Sequence, residues 1–458
     1  MQKKKLSAKE YLCVASMLFG MFFGAGNLIF PVSLGQQAGN RMWPAALGML
    51  ITGVGLPLLG VAALGISRSD GLPALAGKAG RPFGMGFTCL LYLTIGPFFA
   101  IPRCATTSFT VGLEQVLPGT GPLQLWLFLF SLLFFGVALF FALRPGKILV
   151  WIGKILNPVF LLFLGILVLV AWISPAAKIA DVTPLGDYAT RPFLTGFLEG
   201  YNTMDALAGL AFGIVVVQVI RDLGVTDPRQ VAGSTVRAGI FSCLFMGIIY
   251  LSVMVISVQS RGLFEPAENG GVALAQIARH YLGTPGLFIL AATVTLACLK
   301  TAIGLITSCA ETFCVLFPKG PKYRFFAVTF SVVSLLFANL GLNAVIGYSV
   351  PVLMFLYPPA IVLILLSLFG RFFGNDRTVY AFTLGFTLIG AVYDLLRSLP
   401  DSLQQTLHLP AVLQCVGSLL PLSAFGLGWI CPAVVGLAVG ITVRLLRRGR
   451  GRKEEKTV

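Results

Sequence analysis

Charged side chains are scarce in this sequence: Asp, Glu, Lys and Arg together make up 11% of its 458 residues, and histidine is reduced to His280 and His408. So small a stock of titratable groups argues against most acid–base and metal chemistry. The nine cysteines contain no Cys-x-x-Cys pair, and two isolated histidines do not complete a metal site with them. There is no phosphate-cradling G-x-x-x-x-G-K-[ST] loop, no H-E-x-x-H and no dinucleotide fingerprint, so ATP-driven pumping would have to borrow another subunit. A membrane enzyme would need a nucleophile or metal constellation, and none has convincing spacing. Acidic residues are the scarcer charge, 17 against 33 Lys and Arg, giving a net charge of +16.

What fills the sequence is apolar: 57% hydrophobic residues, with 52 Gly and 26 Pro and a mean hydropathy of +0.90. This composition predicts an all-α polytopic membrane protein. Because a span needs about 20 residues, we read twelve transmembrane helices, over 11–34, 44–66, 83–103, 123–143, 149–173, 193–220, 236–258, 286–316, 325–341, 343–369, 379–397 and 422–444. The Lys3–Lys5 run mimics a secretory signal, but the stretch behind it is too long and has no small-residue cleavage site, so it is expected to stay as the first span. Cytoplasmic loops collect Lys and Arg. With residues 1–10 and the basic tail 445–458 inside, that side holds 24 of them against 7 on the other, Arg103 among the 7. Both termini are therefore expected in the cytoplasm. The positive charge is topology and anionic-lipid contact and requires no nucleic-acid partner.

Two of the spans are interrupted. Residues 20–31, GMFFGAGNLIFP, place Gly24, Gly26 and Asn27 inside an apolar run, and 197–213, FLEGYNTMDALAGLAFG, place Glu199, Gly200, Tyr201, Asn202, Thr203 and Asp205 at membrane depth. In hydrocarbon, freed backbone groups are tolerated only where they face protein, water or a ligand. Small-residue helix packing is the other use of Gly24 and Gly26. Two breaks five spans apart favour a site instead, because an odd separation makes the broken helices enter from opposite sides, as an inverted five-plus-five repeat requires. Residues 11–173 and 193–369 would be the two repeats, with helices 11 and 12 (379–444) outside them. ALAGKA (74–79) and ALAQIA (273–278), on opposite faces at equivalent positions, echo that symmetry. Half-helix amides suit a carboxylate and half-helix carbonyls a cation or ammonium, a combination that a zwitterion satisfies. A channel also uses broken helices, but it has less need of two inverted halves, and no ring of repeated charges is present.

The segments FFGAGNLIFP (22–31), ITGVGLPLLGV (51–61), YLTIGPFFAIPR (92–103), GFLEGYNTMDALAGLAFG (196–213), TLACLKTAIGLITSCAETF (295–313) and PVLMFLYP (351–358) resemble the bacterial branched-chain amino acid:cation symporters, the branched-chain amino acid transport system II carriers, over nearly the whole chain. That family is in turn similar to the amino acid/polyamine/organocation superfamily and to the LeuT-like fold of the neurotransmitter:sodium symporters. The resemblance implies import of leucine, isoleucine and valine with Na+ or H+ across the bacterial inner membrane, with no other cofactor. Gly24, Ala25, Gly26 and Asn27, together with Tyr92 and residues 199–203 and 205, would bind substrate. By the same likeness the carbonyls of Gly20, Phe23 and Gly304 and the hydroxyls of Thr307 and Ser308 would hold Na+. The alternative for Thr307 and Ser308 is bonding to carbonyls one turn back.

Lys300, in the middle of the eighth span, complicates the choice of ion, since a charge there costs about 2.5–3.5 kcal/mol unless paired or hydrated. It could pair with Asp205 or Glu199, or make the carrier proton-coupled. Lys154 is expected to snorkel to the interface, and Glu311 to be an interfacial or gate ion-pair partner. Asp394 lies outside the inferred repeat and receives no transport role. An aliphatic pocket is expected from Tyr92, Ile95, Phe98, Phe99, Tyr201 and Met204, with a helix irregularity at Gly96–Pro97. The segment 259–285 reads as a short external helix acting as a lid. Oligomeric state and the ranking of substrates are not legible.

Overall fold

The computed structural model describes residues 6–67, 69, 71–117, 122–144, 148–225 and 227–454, with side chains omitted at 21, 148–160, 214, 228, 229, 232 and 448–454. These residues are helical almost throughout. In chain order the helices are α1 (Ala8–Phe22), α2 (Ala25–Ala38), α3 (Met42–Leu50), α4 (Leu56–Ser67), α5 (Leu72–Ala76), α6 (Arg81–Leu93), α7 (Ala100–Val111), α8 (Leu123–Ala142), α9 (Ile148–Ile173) and α10 (Pro192–Glu199). They continue as α11 (Asp205–Asp222), α12 (Pro228–Ser260), α13 (Gly270–Leu316), α14 (Tyr323–Ala338), α15 (Leu342–Phe369), α16 (Arg377–Arg397), α17 (Asp401–Thr406), α18 (Leu409–Leu419) and α19 (Ile430–Glu454). Among the described residues eight helical stretches are long and apolar enough to cross a membrane. Leu133, Phe241, Leu244 and Ile248 are exposed on them, as a lipid-facing surface requires.

Local chemistry sets the helix ends. Ser7 and Glu10 form a capping box on α1, with the Ser7 amide donating to Glu10 Oε2 at 2.7 Å. Asn269 Oδ1 accepts from the amides of Gly271 and Val272 at the start of α13. Gly283, at φ +65°, breaks α13 into a short first arm and a long second one. Between α6 and α7 a wide helical turn covers Thr94–Phe98, with Gly96 non-helical ahead of Pro97, as Gly and Pro at those positions led us to expect.

The helices pack as two groups. α1 and α2 lie on α12, α3 on α10, and α4 on α11, whereas α13 gathers α7, α8, α9 and α14 and also meets α2, which joins the two groups. Glycine makes the first group very close. A methyl at Gly48 would fall 2.1 Å from the Phe193 carbonyl oxygen, one at Gly196 2.0 Å from that of Ala45, and one at Gly209 2.6 Å from that of Pro57. Backbones therefore approach closely at these three points of the α3–α10 and α4–α11 contacts, the small-residue packing expected where lipid offers no hydrophobic drive. α15, α16 and α19 form a flank, with α15 against α4.

Two expected boundaries move. The third span does not end at residue 103: α7 continues to Val111, since Thr106 and Ser108 donate to the carbonyls of Pro102 and Cys104 one turn back and need no water. Arg103 is thus buried at 4% exposure inside a helix instead of lying in a loop. The last long helix begins at Ile430, because Leu422 and Gly426 have positive φ and form a turn.

Candidate functional site

Both interruptions are real breaks. α1 ends at Phe22, Phe23 and Gly24 are extended, and Asn27 in the first turn of α2 folds its side chain back so that Oδ1 accepts from the Gly24 amide at 2.8 Å. In the other, Gly200–Thr203 winds into a 3₁₀ turn, Met204 takes the left-handed conformation (φ 62°), and Asp205 opens α11. A non-glycine residue at such φ stores strain, which collects at functional sites.

Asn27 joins the breaks. Its Nδ2 donates to Asp205 Oδ2 at 2.6 Å and lies 2.7 Å from Tyr250 Oη, and the Tyr250 hydroxyl donates to the same carboxylate oxygen at 3.2 Å. Arg103, which the sequence reading assigned to an external face, completes the centre. Its Nη1 donates to the Asn202 carbonyl at 2.6 Å and its Nη2 to that of Thr203 at 3.4 Å, while the guanidinium stacks over the Phe30 ring, 5.0 Å from its centroid. The cation sits on carbonyls at the C-terminal end of a half-helix and the Asp205 carboxylate at the N-terminus of the next, so each charge opposes the local helix dipole. Gly26 lets the Arg103 guanidinium approach closely, since a methyl there would fall 2.8 Å from Arg103 Nη2 and 3.3 Å from the Thr203 carbonyl oxygen and would displace the guanidinium.

A cavity of about 40 Å³ lies at this junction, lined by Gly24–Asn27, Arg103, Thr203, Met204 and Asp205, with Ile95, Ala208, Phe212 and Leu305 as apolar walls. It brings together Gly24, Ala25, Gly26, Asn27, Thr203 and Asp205 of the expected substrate residues. Others stand elsewhere. The Tyr92 hydroxyl donates to the Ala211 carbonyl at 3.0 Å, tying α6 to α11 beside the cavity. Phe98 and Phe99 pack on Phe337, at ring-centroid separations of 5.2 and 6.5 Å. Gly200 is pressed on Thr52. Glu199, Tyr201 and Asn202 line a second cavity behind the turn, and Tyr201 stacks on Tyr357 at 4.0 Å.

Of the residues expected to bind a cation, Gly20 and Phe23 are buried at the end of α1. Gly304 is exposed on α13, Thr307 and Ser308 are half-buried there, and the Tyr323 hydroxyl is 3.5 Å from Thr307 Oγ1. It is Thr301 that faces the first break, lining the central cavity beside Gly24. Lys300 is half-buried on α13 and Glu311 exposed near its end. Lys154 falls within α9, but its side chain lies outside the described residues.

A model of the family described as branched-chain amino acid transport protein matches residues 7–447. The chain belongs to that family. The branched-chain amino acid permease BrnQ of Lactobacillus delbrueckii subsp. lactis is 49% identical over 95% of this chain and 97% of the relative. BraB of Bacillus subtilis, also a branched-chain amino acid permease, is 40% identical over 97% of each. Among solved structures, the inward-facing conformation of Mhp1 aligns with TM-score 0.61 at 15% identity, over 98% of this chain and 96% of that one. MhsT in complex with L-phenylalanine aligns with TM-score 0.52 at 16% identity, over 97% and 99%. These likenesses establish the LeuT-like transporter fold. A member of this transport family with such apolar helices is a multi-pass membrane protein and not an enzyme.

Proposed function

We propose that this family member imports leucine, isoleucine and valine by alternating access together with a cation, Na+ in the first reading, with both termini in the cytoplasm. The observation that carries the proposal is the meeting of two helix breaks, bonded to each other through Asn27 and Asp205, around one cavity holding one fixed cation and one carboxylate. The first amides of α2 have no intrahelical partners and, with Arg103, would receive the substrate carboxylate. Its ammonium would turn to Asp205 and the carbonyls that end the half-helices. Ile95, Ala208, Phe212 and Leu305 would enclose the aliphatic side chain.

The breaks and the two packing groups fit twelve spans in a five-plus-five inverted repeat. In that reading the glycine-welded group of α1–α4 and α10–α12 rocks against the group around α13, opening the cavity to alternate sides. Bringing Gly20 and Phe23 against Gly304, Thr307 and Ser308 would form the Na+ site in one of those states. Proton coupling is the second reading, and the buried Asp205 and the half-buried Lys300 give it a place to act.

The test is uptake of radiolabelled leucine into proteoliposomes under an inward Na+ gradient, against choline at fixed pH and voltage. Concentrative uptake that needs Na+ and disappears in the Thr307→Ala, Ser308→Ala double variant supports the first reading. Uptake indifferent to Na+ and driven by an acidic exterior would move coupling to Asp205 or Lys300, and flux that neither saturates nor accumulates would indicate a channel.

A further inference from the structure

A separate cavity of about 250 Å³ lies where α4 ends beside the end of α15, lined by Ile66, Ser67, Ser367, Arg371 and Asn375. Its polar lining is made of donors. Arg371 is exposed, and its guanidinium has no hydrogen bond or ion pair among the described residues. Asn375 Oδ1 accepts from the Tyr380 hydroxyl at 3.4 Å, which leaves its Nδ2 as an unused donor, and Ser67 supplies a hydroxyl from the α4 side, 2.9 Å from Ser69 Oγ. Further cations stand round the same turn. Arg444 Nε lies 3.9 Å from Asp376, Arg447 Nη1 donates to Thr378 Oγ1 at 3.1 Å, and Lys78 Nζ lies 5.8 Å from the Tyr380 ring centroid. Asp376 offsets one of these charges and the field stays positive, so a metal ion or an ammonium is disfavoured and an anion is favoured.

What adjoins the cavity selects the kind of anion. Leu365, Phe369 and Phe372 are 40%, 54% and 86% exposed, and their i, i+4, i+7 spacing sets them on one side of α15 and of the 3₁₀ turn Gly370–Phe373 that ends it. The rings of Phe369 and Phe372 are 6.3 Å apart, with Arg371 between them in sequence. A soluble anion has no use for two bare phenylalanines beside its arginine, whereas a lipid uses both: its phosphate meets the cation and its chains cover the rings. Clusters of Lys and Arg at the membrane surface attract anionic lipids in the same way. We propose that this cavity binds the headgroup phosphate of an anionic phospholipid, whose acyl chains lie outside it along Leu365, Phe369 and Phe372. The space is smaller than sites for whole small molecules and suits a headgroup alone. Ile66 and Ser67 come from α4 and Ser367 and Arg371 from the end of α15, so a lipid seated there ties the glycine-packed group to the flank.

The experiment is native mass spectrometry of the purified, delipidated full chain, titrated with phosphatidylglycerol and with phosphatidylcholine of the same acyl chains. The first phosphatidylglycerol is expected to bind more tightly than phosphatidylcholine, and to weaken about fivefold in Arg371→Gln, the loss of one interfacial cation. Ser67→Trp fills the cavity while keeping every charge, and is expected to weaken it as well. Lys319→Gln removes an exposed cation from another loop and should leave it unchanged. Equal affinity for the two lipids, wild-type binding by both Arg371→Gln and Ser67→Trp, or a Lys319→Gln chain weakened as much as Arg371→Gln would each overturn the site. Inorganic phosphate at equal concentration is expected not to displace the lipid; displacement would make the free anion the ligand and overturn the lipid assignment. None of these outcomes depends on leucine transport.

Discussion

Asn27 serves three partners with one amide: it accepts from the Gly24 amide and donates toward Asp205 and Tyr250. Asn27→Ala leaves several buried polar groups unmet at about 1–3 kcal/mol each, so leucine uptake at subsaturating concentration should fall by at least about tenfold while the protein still elutes as a single species. Glycine gives a sharper contrast. Gly26→Ala drives a methyl against Arg103 and should abolish most uptake, whereas Gly136→Ala, where a methyl meets nothing within 4 Å, should leave uptake unchanged and gain up to about 0.5–1 kcal/mol of helix stability, read as a small rise in melting temperature. Gly24, Gly26 and Asn27 were legible in the sequence because helix breaks are written in local chemistry. Arg103 was not. A count of apolar residues stops at the first charge, and only the Ser and Thr residues that follow it, able to bond within their own helix, hint that the span runs on.

At the scale of elements, the 3₁₀ turn explains why four of the six expected residues of the second break lie outside the central cavity. With about 3 residues per turn in place of 3.6, followed by the left-handed Met204, Glu199, Tyr201 and Asn202 point away from Thr203 and Asp205, a phase that spacing alone does not reveal. Arg103 holds this turn from α7 by two carbonyls. Arg103→Lys keeps the charge but loses the planar fork, and should retain partial uptake where Arg103→Leu retains none. The contact of α3 with α10 depends on glycine at both sides. Gly196→Val cannot be accommodated without separating backbones that stand in contact at Ala45, and overpacking of this kind costs about 1–3 kcal/mol or more. A lowered thermal-shift midpoint should accompany loss of transport, distinguishing it from Gly26→Ala, whose midpoint should move little.

For the whole molecule, membrane class, helical architecture and family were readable from hydropathy and long motifs, because lipid leaves a chain few alternatives to the helix. That α15, α16 and α19 pack together as a flank was not, since packing partners distant in sequence leave no local mark. The topology drawn from Lys and Arg predicts that Lys178→Cys is labelled by an impermeant maleimide from outside right-side-out vesicles and that Lys319→Cys is labelled only after permeabilisation. The reverse pattern would invert the molecule. The central cavity of about 40 Å³ is far below the roughly 300–1,000 Å³ of small-molecule sites. A branched-chain amino acid is larger than that space, so on the proposed reading taking one in has to part the two helix breaks, and arrival of the substrate and movement of the helices are one event.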